Sequence, residues 1–163
     1  MDLALYDTTV RLFNKYFTDF AFTTLLGNHD VYNKNTNDIC SPILLQKEFD
    51  IRIINKIQLF NNMLMVPWLN ESNIDEFNKT ISMTNAKYCF GHFEINSFTM
   101  IKGFEESNGL STSIFKKFDK VFSGHFHLTQ DKNNISYIGS LFQNDRNDLN
   151  DIKRILILDT DKD

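Results

Sequence analysis

The 163-residue sequence has little of what disulfide-bonded, zinc-ribbon or membrane-spanning proteins require. Its two cysteines, Cys40 and Cys89, lie far apart and in no Cys-x-x-Cys arrangement, so neither a disulfide framework nor a zinc ribbon is indicated. No apolar run approaches the roughly 18 residues of a membrane span, and the N-terminus lacks the basic start and apolar stretch of a signal peptide. We therefore expect a soluble, cytoplasmic protein with reduced thiols and no membrane attachment.

The sequence also lacks an excess of positive charge. Lysine and arginine contribute 17 residues against 21 aspartates and glutamates, which gives a formal net charge of −4. This balance argues against a broad basic surface, so a nucleic acid would have to be held at local positive features such as bound metal ions. With 163 residues and 42% hydrophobic content, the chain is expected to form a single domain over 1–163 with one active site.

The first third of the chain predicts a helix, a strand and a second helix. Apolar residues recur every three to four positions from Leu3 to Phe17, which is typical of an amphipathic helix with one face on a core. The apolar run from Phe20 to Leu26 predicts a buried strand that stops at a glycine. Ser41 and Pro42 then predict a short helix, with the serine as N-cap and the proline at the first helical position.

The remaining two thirds predict mainly strands. Residues 57–60 and 63–66 are expected to form a hairpin with Asn61-Asn62 as its turn. Helices are then predicted from Ser72 or Asn73 to Ile81 and over Ser111–Phe118, and strands over Ala86–Phe90, Val121–Ser123, Ile135–Ile138 and Arg154–Leu158. Strands alternating with helices early and consecutive strands later indicate an α/β fold, layered, with a mixed sheet flanked by helices.

All four histidines follow a glycine at the end of a predicted strand. The segments are Gly27-Asn28-His29-Asp30, Gly91-His92 and Gly124-His125-Phe126-His127. In α/β folds the carboxyl ends of the strands form one rim, which is where ligands bind. The four imidazoles are therefore expected to converge.

Each histidine segment has a plain structural alternative when taken alone. Gly27-Asn28-His29-Asp30 could be only a polar turn, because glycine, asparagine and aspartate favour turns. His125 and His127 are more informative, because residues two apart in an extended segment lie on one face, about 7 Å apart, where their imidazoles can reach adjacent metal ions. The same alternation should turn Phe126 away from the metals and into the core. Together, the segments favour a shared metal site.

These segments resemble the motifs of the calcineurin-like metallophosphoesterase family, which has Gly-Asn-His-Asp/Glu, a later Gly-His and a final Gly-His-x-His. The resemblance implies that Asn28, His92 and His125 ligate the second of two metal ions. His127 would ligate the first.

The same resemblance implies catalytic roles for His29 and Asp30. His29 would donate a proton to the leaving oxygen, and Asp30 would be hydrogen-bonded to His29 to hold its orientation. Two divalent ions in such a site activate a water, neutralise phosphate oxygens and stabilise an in-line displacement. Mixed nitrogen and oxygen ligands suit manganese, iron or zinc.

The residues around the motifs are similar to one branch of this family, the phage exonuclease subunits related to the nuclease of bacterial SbcCD. The similarity is carried by Gly91 to Asn96, Lys102-Gly103, Gly109, Val121 to His127 and Tyr137 to Ser140, and Pro67-Trp68 fits the same pattern. It implies Mn²⁺-dependent exonuclease or endonuclease action on DNA, in repair or recombination. It also implies a partner ATPase of the SMC type, and a homodimer is compatible with it. If the gene is viral, the protein would act in the host cytoplasm.

Two opening motifs of the family, an Asp-x-His and a Gly-Asp-x-x-Asp, do not occur in this sequence. We therefore expect a metallophosphoesterase-like domain that lacks the first strands, has an incomplete first metal site and carries no capping domain. Two alternatives stay open. The chain could be a small-molecule phosphoesterase, or a catalytically inactive truncated remnant that acts by binding a partner.

Overall fold

The computed structural model describes residues 3–161, which form an α/β fold as predicted. The helices are α1 (Leu3–Tyr16) and α2 (Ile74–Met83), and short 3-10 helices cover Ser41–Lys47, Thr112–Phe115 and Arg146–Asp148. The strands are β1 (Phe22–Leu25), β2 (Ile51–Ile54), β3 (Gln58–Phe60), β4 (Met63–Val66), β5 (Tyr88–Gly91), β6 (Thr99–Ile101), β7 (Phe104–Glu105), β8 (Lys120–Ser123), β9 (Gln130–Lys132) and β10 (Ile135–Tyr137).

A six-stranded mixed sheet in the order β3-β4-β5-β8-β10-β9 organises the described residues. The inner strands β4, β5, β8 and β10 run parallel, while β3 and β9 are antiparallel edges. Parallel strands are usually covered by other parts of the protein on both faces of the sheet, so most of their residues are apolar. Leu64, Cys89, Val121 and Ile135, one from each inner strand, are accordingly at most 1% exposed. The predicted mixed sheet is confirmed.

The core joins this sheet to α2 through buried aromatic rings. Phe77 of α2 packs on Phe93 with ring centroids 5.9 Å apart, and Phe93 packs on Phe115 at 5.1 Å. The Tyr137 hydroxyl, at the end of β10, donates a hydrogen bond to the Phe93 carbonyl (2.8 Å) and accepts one from the Ile95 N–H (3.1 Å). The loop that follows β5 is therefore fixed to β10 by buried bonds, which limits its movement.

A second, two-stranded parallel sheet lies next to the central one. It pairs β1 with β2, and the Leu26 carbonyl just after β1 accepts a hydrogen bond from the Trp68 N–H (2.8 Å) just after β4. The carboxyl ends of β1 and β4 are thus held side by side. The strand predicted over Phe20–Leu26 is confirmed with narrower bounds, whereas β2 was missed.

The N-terminal helix is confirmed, but it does not lay a buried face on a core. None of the residues of α1 is buried, and Leu3 and Leu5 are 85% and 59% exposed. It contacts the following chain through Phe13, whose ring lies 5.1 Å from those of Phe22 and Phe49, and through the Tyr6 hydroxyl, which donates to Glu48 Oε1 (3.0 Å). The spacing of the apolar residues therefore predicted the helix correctly, but the prediction that one face of it is buried was wrong.

The Asn61-Asn62 hairpin is confirmed. Both asparagines have positive φ angles, 46° and 61°, as the two central positions of a tight hairpin turn require. Asparagine tolerates this left-handed region better than most residues, so the turn needs no glycine.

Three local predictions were wrong. Ser41 is the first residue of a 3-10 helix whose N-cap is Cys40, although Pro42 does lie in its first turn. Helix over Ser111–Phe118 is limited to a 3-10 turn at Thr112–Phe115. Arg154–Leu158 forms no strand: its backbone pairs with no neighbouring strand in the described part of the chain, and the Arg154 guanidinium instead binds the Asp131 carboxylate.

The two cysteine thiols, Cys40 and Cys89, are free and buried. Burial raises the pKa of the Cys89 thiol. Among residues 3–161, no helix is long and apolar enough to cross a membrane.

Replacing Phe126 with alanine should lower the free energy of unfolding by about 3–5 kcal/mol, the usual cost of removing a buried phenylalanine. Phe126 is 3% exposed, and its ring stacks on that of Tyr137 with centroids 4.7 Å apart. Urea unfolding measures the loss. The control is Phe142→Ala at a 69% exposed position, which should change stability by less than about 0.5 kcal/mol. Equal losses in the two variants would contradict the buried placement.

Candidate metal centre

Three strand ends bring the histidines to one cavity. Asn28 and His29 follow β1, His92 follows β5, and His125 and His127 follow β8. All five side chains line a cavity of about 420 Å³. The structure thus brings together the four histidines, as the strand-end positions predict.

Three side-chain atoms that could bind a metal ion lie close together, one of them in His92. The His92 Nε2 atom lies 3.0 Å from Asn28 Oδ1 and 3.1 Å from His125 Nδ1. Ligand atoms about 2.1 Å from one ion are about 3.0–3.4 Å apart in octahedral or tetrahedral geometry. Both separations from His92 Nε2 lie in this range.

Burial keeps the His92 imidazole neutral. Removal from water lowers the pKa of His92 to about 3, and the neighbouring His125 and His29 add to the effect. Burial also lowers the pKa of His125, although Glu94 opposes the shift. A metal ion binds the neutral imidazole, so both side chains are in the form that ligation needs.

Glu94 and Trp68 surround His125, and neither role was predicted. The Glu94 Oε1 atom lies 3.0 Å from His125 Nε2, leaving His125 Nδ1 for the ligand cluster. A carboxylate on the distal nitrogen is a common way of orienting a metal-ligating histidine. The Trp68 ring packs 5.6 Å from His125 and 6.0 Å from His92. The only sequence signal for Glu94 is its position two residues after His92.

Two glycines lie beside the His92 ring, where a side chain would have too little room. A Cβ atom on Gly27 would lie 2.6 Å from His92 Cε1, and one on Gly124 would lie 3.0 Å from His92 Nδ1. Both distances are too short for ordinary packing. The glycines therefore allow two backbones to approach the imidazole, which fixes the ring.

The segment after β8 is not the extended strand that the alternation argument assumed. The strand ends at Ser123, and His125 has a φ of +84°, a left-handed conformation that is uncommon outside glycine. This turn directs the His125 ring towards His92 and Glu94. Phe126 is nevertheless buried, as predicted. It also lines the cavity, so the expectation that it turns away from the candidate ligands was wrong, as was the premise of an extended chain.

His29 and Asp30 lie on the loop after β1. His29 is exposed and lines the cavity. The Asp30 Oδ2 atom accepts a hydrogen bond from the Gly27 N–H (2.8 Å). Within the described residues, the Asp30 carboxylate thus stabilises the loop backbone and not His29, contrary to the expected hydrogen bond between the two side chains.

A second group of potential ligands surrounds His127. The His127 Nδ1 atom lies 3.4 Å from Asp148 Oδ2 and 4.0 Å from Asp145 Oδ2. Burial raises the pKa of Asp148, but the Asn144 N–H and the His127 charge outweigh it, and the net shift is downward. The two aspartates were not predicted, and an Asn/Asp-rich loop is the only signal that sequence offers for them.

The sequence is similar to a phage protein. Over 143 residues, or 85% of the chain, it is 34% identical to exonuclease subunit 1 of Enterobacteria phage T4. The match covers 42% of that protein, so the chain spans less than half the length of this curated relative. No protein-family model and no solved structure matches the sequence.

Gly27→Ala should weaken Mn²⁺ binding at least about tenfold, because the new methyl group displaces the His92 ring and disturbed ligand orientation typically costs 10–100-fold in affinity. Titration calorimetry measures the affinity, and circular dichroism checks the fold. The control is Gly103→Ala, which has a positive φ of +88° but no atom within 4 Å of the new Cβ. It should lose stability without losing Mn²⁺ affinity, and equal affinities in both variants would refute the packing argument.

Without metal, the free energy of unfolding should fall as the pH drops below 6.5. His92 has a pKa near 3 in the folded chain and 6.5 as its ordinary value, so the unfolded chain binds a proton that the folded chain does not. Its contribution is complete above pH 6.5 and decreases by about 1.4 kcal/mol per pH unit towards pH 3. Urea unfolding in a chelator at pH 7 and pH 5 should show a smaller pH-dependent loss in His92→Gln, by about 2 kcal/mol. An equal loss in both proteins would contradict the neutral state of His92.

Proposed function

We propose that this chain carries the metal-ligating part of a DNA nuclease subunit of the calcineurin-like metallophosphoesterase type. One observation carries the proposal. Asn28 Oδ1 and His125 Nδ1 lie 3.0 Å and 3.1 Å from His92 Nε2, at the ends of the strands. The mixed sheet and the order of the motifs along the chain support this proposal. The similarity to a phage exonuclease subunit supports the same reading.

The donor set fits a divalent cation. Asn28, His92 and His125 would hold it through one oxygen and two nitrogen atoms, and Mn²⁺ is our first choice, with Fe²⁺ or Zn²⁺ as alternatives. When bound, such a cation polarises the phosphate and activates a water. Neutral imidazoles, the Glu94 contact and the two glycine backbones keep the ligand atoms in place.

His29 is proposed to donate the proton to the leaving oxygen. Its side chain is exposed and lines the cavity, so it can approach a phosphodiester without disturbing the ligands. Asp30 contributes by holding the Gly27 N–H and thereby the loop that carries His29. Glu94 acts through His125, and Trp68 shields the two imidazoles from solvent on one side.

We propose that the substrate is DNA and that the bound cation is the main positive charge that attracts its phosphates. The chain has a net charge of −4, so affinity for phosphates must come from the metal centre and not from a basic surface. We extend the proposal to action in the host cytoplasm, in repair or recombination, with a partner ATPase of the SMC type. The word subunit in the relative's name suggests that the phage protein works with a partner.

The direct test is hydrolysis by the purified chain supplied with Mn²⁺. We expect cleavage of linear duplex DNA that stops when EDTA is added. Bis-nitrophenyl phosphate serves as a second substrate. Its hydrolysis without DNA cleavage would favour the small-molecule phosphoesterase, and the absence of both activities would favour a catalytically inactive remnant.

Variants separate ligation from proton transfer. His125→Ala should lose bound Mn²⁺ and activity together, whereas His29→Ala should keep the metal and lose about 10²–10⁴-fold in turnover. Asn28→Ala and Asn35→Ala form a matched pair, because Asn35 is exposed outside the cavity. Elemental analysis measures the metal. Equal Mn²⁺ loss in His29→Ala and His125→Ala would refute the division of roles.

A further inference from the structure

We propose that the cavity beside Trp68 holds one unpaired nucleobase of the DNA strand whose phosphate lies at the metal centre. This inference rests on the proposed function, because it assumes that DNA binds at that centre. It adds a contact to the base, whereas the cation attracts only the phosphate.

The cavity adjoins the one that the four histidines share. Its volume is about 220 Å³, and its lining includes Trp68, Leu69, Ile74, His92, Gly109 and Leu110. The His92 imidazole lines both cavities, and the Trp68 ring lies 6.0 Å from it. The phosphate and the base of one nucleotide can therefore occupy the two cavities together. Since pockets for drug-sized ligands have about 300–1,000 Å³, this smaller cavity suits a group no larger than one base.

The side chains that line the cavity suit a stacked base. An indole and aliphatic side chains form much of the surface, and Glu94 and Asn108 add polar groups. Proteins that bind extruded or single-stranded bases stack them on aromatic or apolar side chains and contact the base edges with polar groups. A base inside a duplex is paired and stacked on its neighbours, so only an unpaired base can enter.

Trp68 is held in place by several hydrogen bonds. Its backbone N–H donates to the Leu26 carbonyl (2.8 Å), and its indole N–H donates to the Lys34 carbonyl (3.2 Å). Its own carbonyl accepts hydrogen bonds from the side-chain amides of Asn37 and Asn73, both at 3.0 Å. Because the ring is already ordered, stacking on it costs little conformational entropy.

The loop that carries Gly109 and Leu110 is fixed as well. The Leu110 N–H donates to the Glu94 carbonyl (2.8 Å), and the Leu110 carbonyl accepts from the Asn96 N–H (3.0 Å). A Cβ atom on Gly109 would lie 2.5 Å from the Glu94 carbonyl oxygen, so this close approach requires glycine. The cavity is therefore formed before a ligand binds.

The test uses Trp68 as the reporter, because it is the single tryptophan of the 163-residue chain. The full chain is supplied with Zn²⁺, since Mn²⁺ is paramagnetic and quenches indole fluorescence. Two single-stranded oligonucleotides of equal length are titrated, an oligothymidylate and a strand with the same phosphates but only abasic residues. Oligothymidylate should bind about 5- to 150-fold more tightly, the usual gain from one stacked base. It should also quench the indole, and the abasic strand should not.

Variants at position 68 assign the gain to the indole. Trp68→Ala should bind both strands equally, with the affinity that wild type has for the abasic strand, while Trp68→Phe should keep most of the gain because a phenyl ring still stacks. The control is Tyr16→Ala, which removes a 56% exposed ring on α1 outside the cavity and should keep the whole gain. Elemental analysis checks that each variant retains Zn²⁺. If Trp68→Ala fails to fold or loses Zn²⁺, the indole signal of wild type decides.

Three results would overturn the inference and leave the proposed function in place. They are equal affinities of wild type for the two strands, a base-dependent gain without quenching of the indole, and a full gain in Trp68→Ala. A folded wild-type chain that binds neither strand would overturn the proposed DNA substrate together with this inference.

Discussion

The imidazole of His92 is enclosed by two backbones, and the candidate centre depends on that contact. Gly27 follows β1 and Gly124 follows β8. A Cβ atom on Gly27 would collide with the ring at 2.6 Å, and one on Gly124 would lie 3.0 Å from it, which is tighter than ordinary packing. The two strands come from different sheets, so the contact fixes the position of one sheet end relative to the other. Asn28 and His125 are the next residues along the chain and are thereby placed on either side of His92 Nε2.

Sequence predicted the parts of this arrangement that depend on local pattern. Apolar runs ending at Gly91 and Gly124 gave the correct strand ends, and the asparagine turn fixed the hairpin register. From those elements the meeting of Asn28 with the four histidines could be predicted, because parallel strands bring their carboxyl ends to one rim.

The features that the sequence analysis missed depend on tertiary contacts, which leave no periodic pattern in the sequence. The residues of Arg154–Leu158 have strand-like composition, but no strand pairs with them, and Ile155 and Ile157 remain 81% and 94% exposed. The two aspartates near His127 lie 18 and 21 residues further along the chain and approach it only because a loop folds back. The left-handed φ of His125 is likewise set by packing, since no local pattern requires it.

Phe126 couples the stability of the fold to the geometry of both ligand groups. It separates His125 from His127, and its ring is held against Tyr137 in the core. The two neighbouring imidazoles make different contacts, His125 with His92 and His127 with Asp148. One histidine therefore serves a cluster of neutral donors and the other an acidic one.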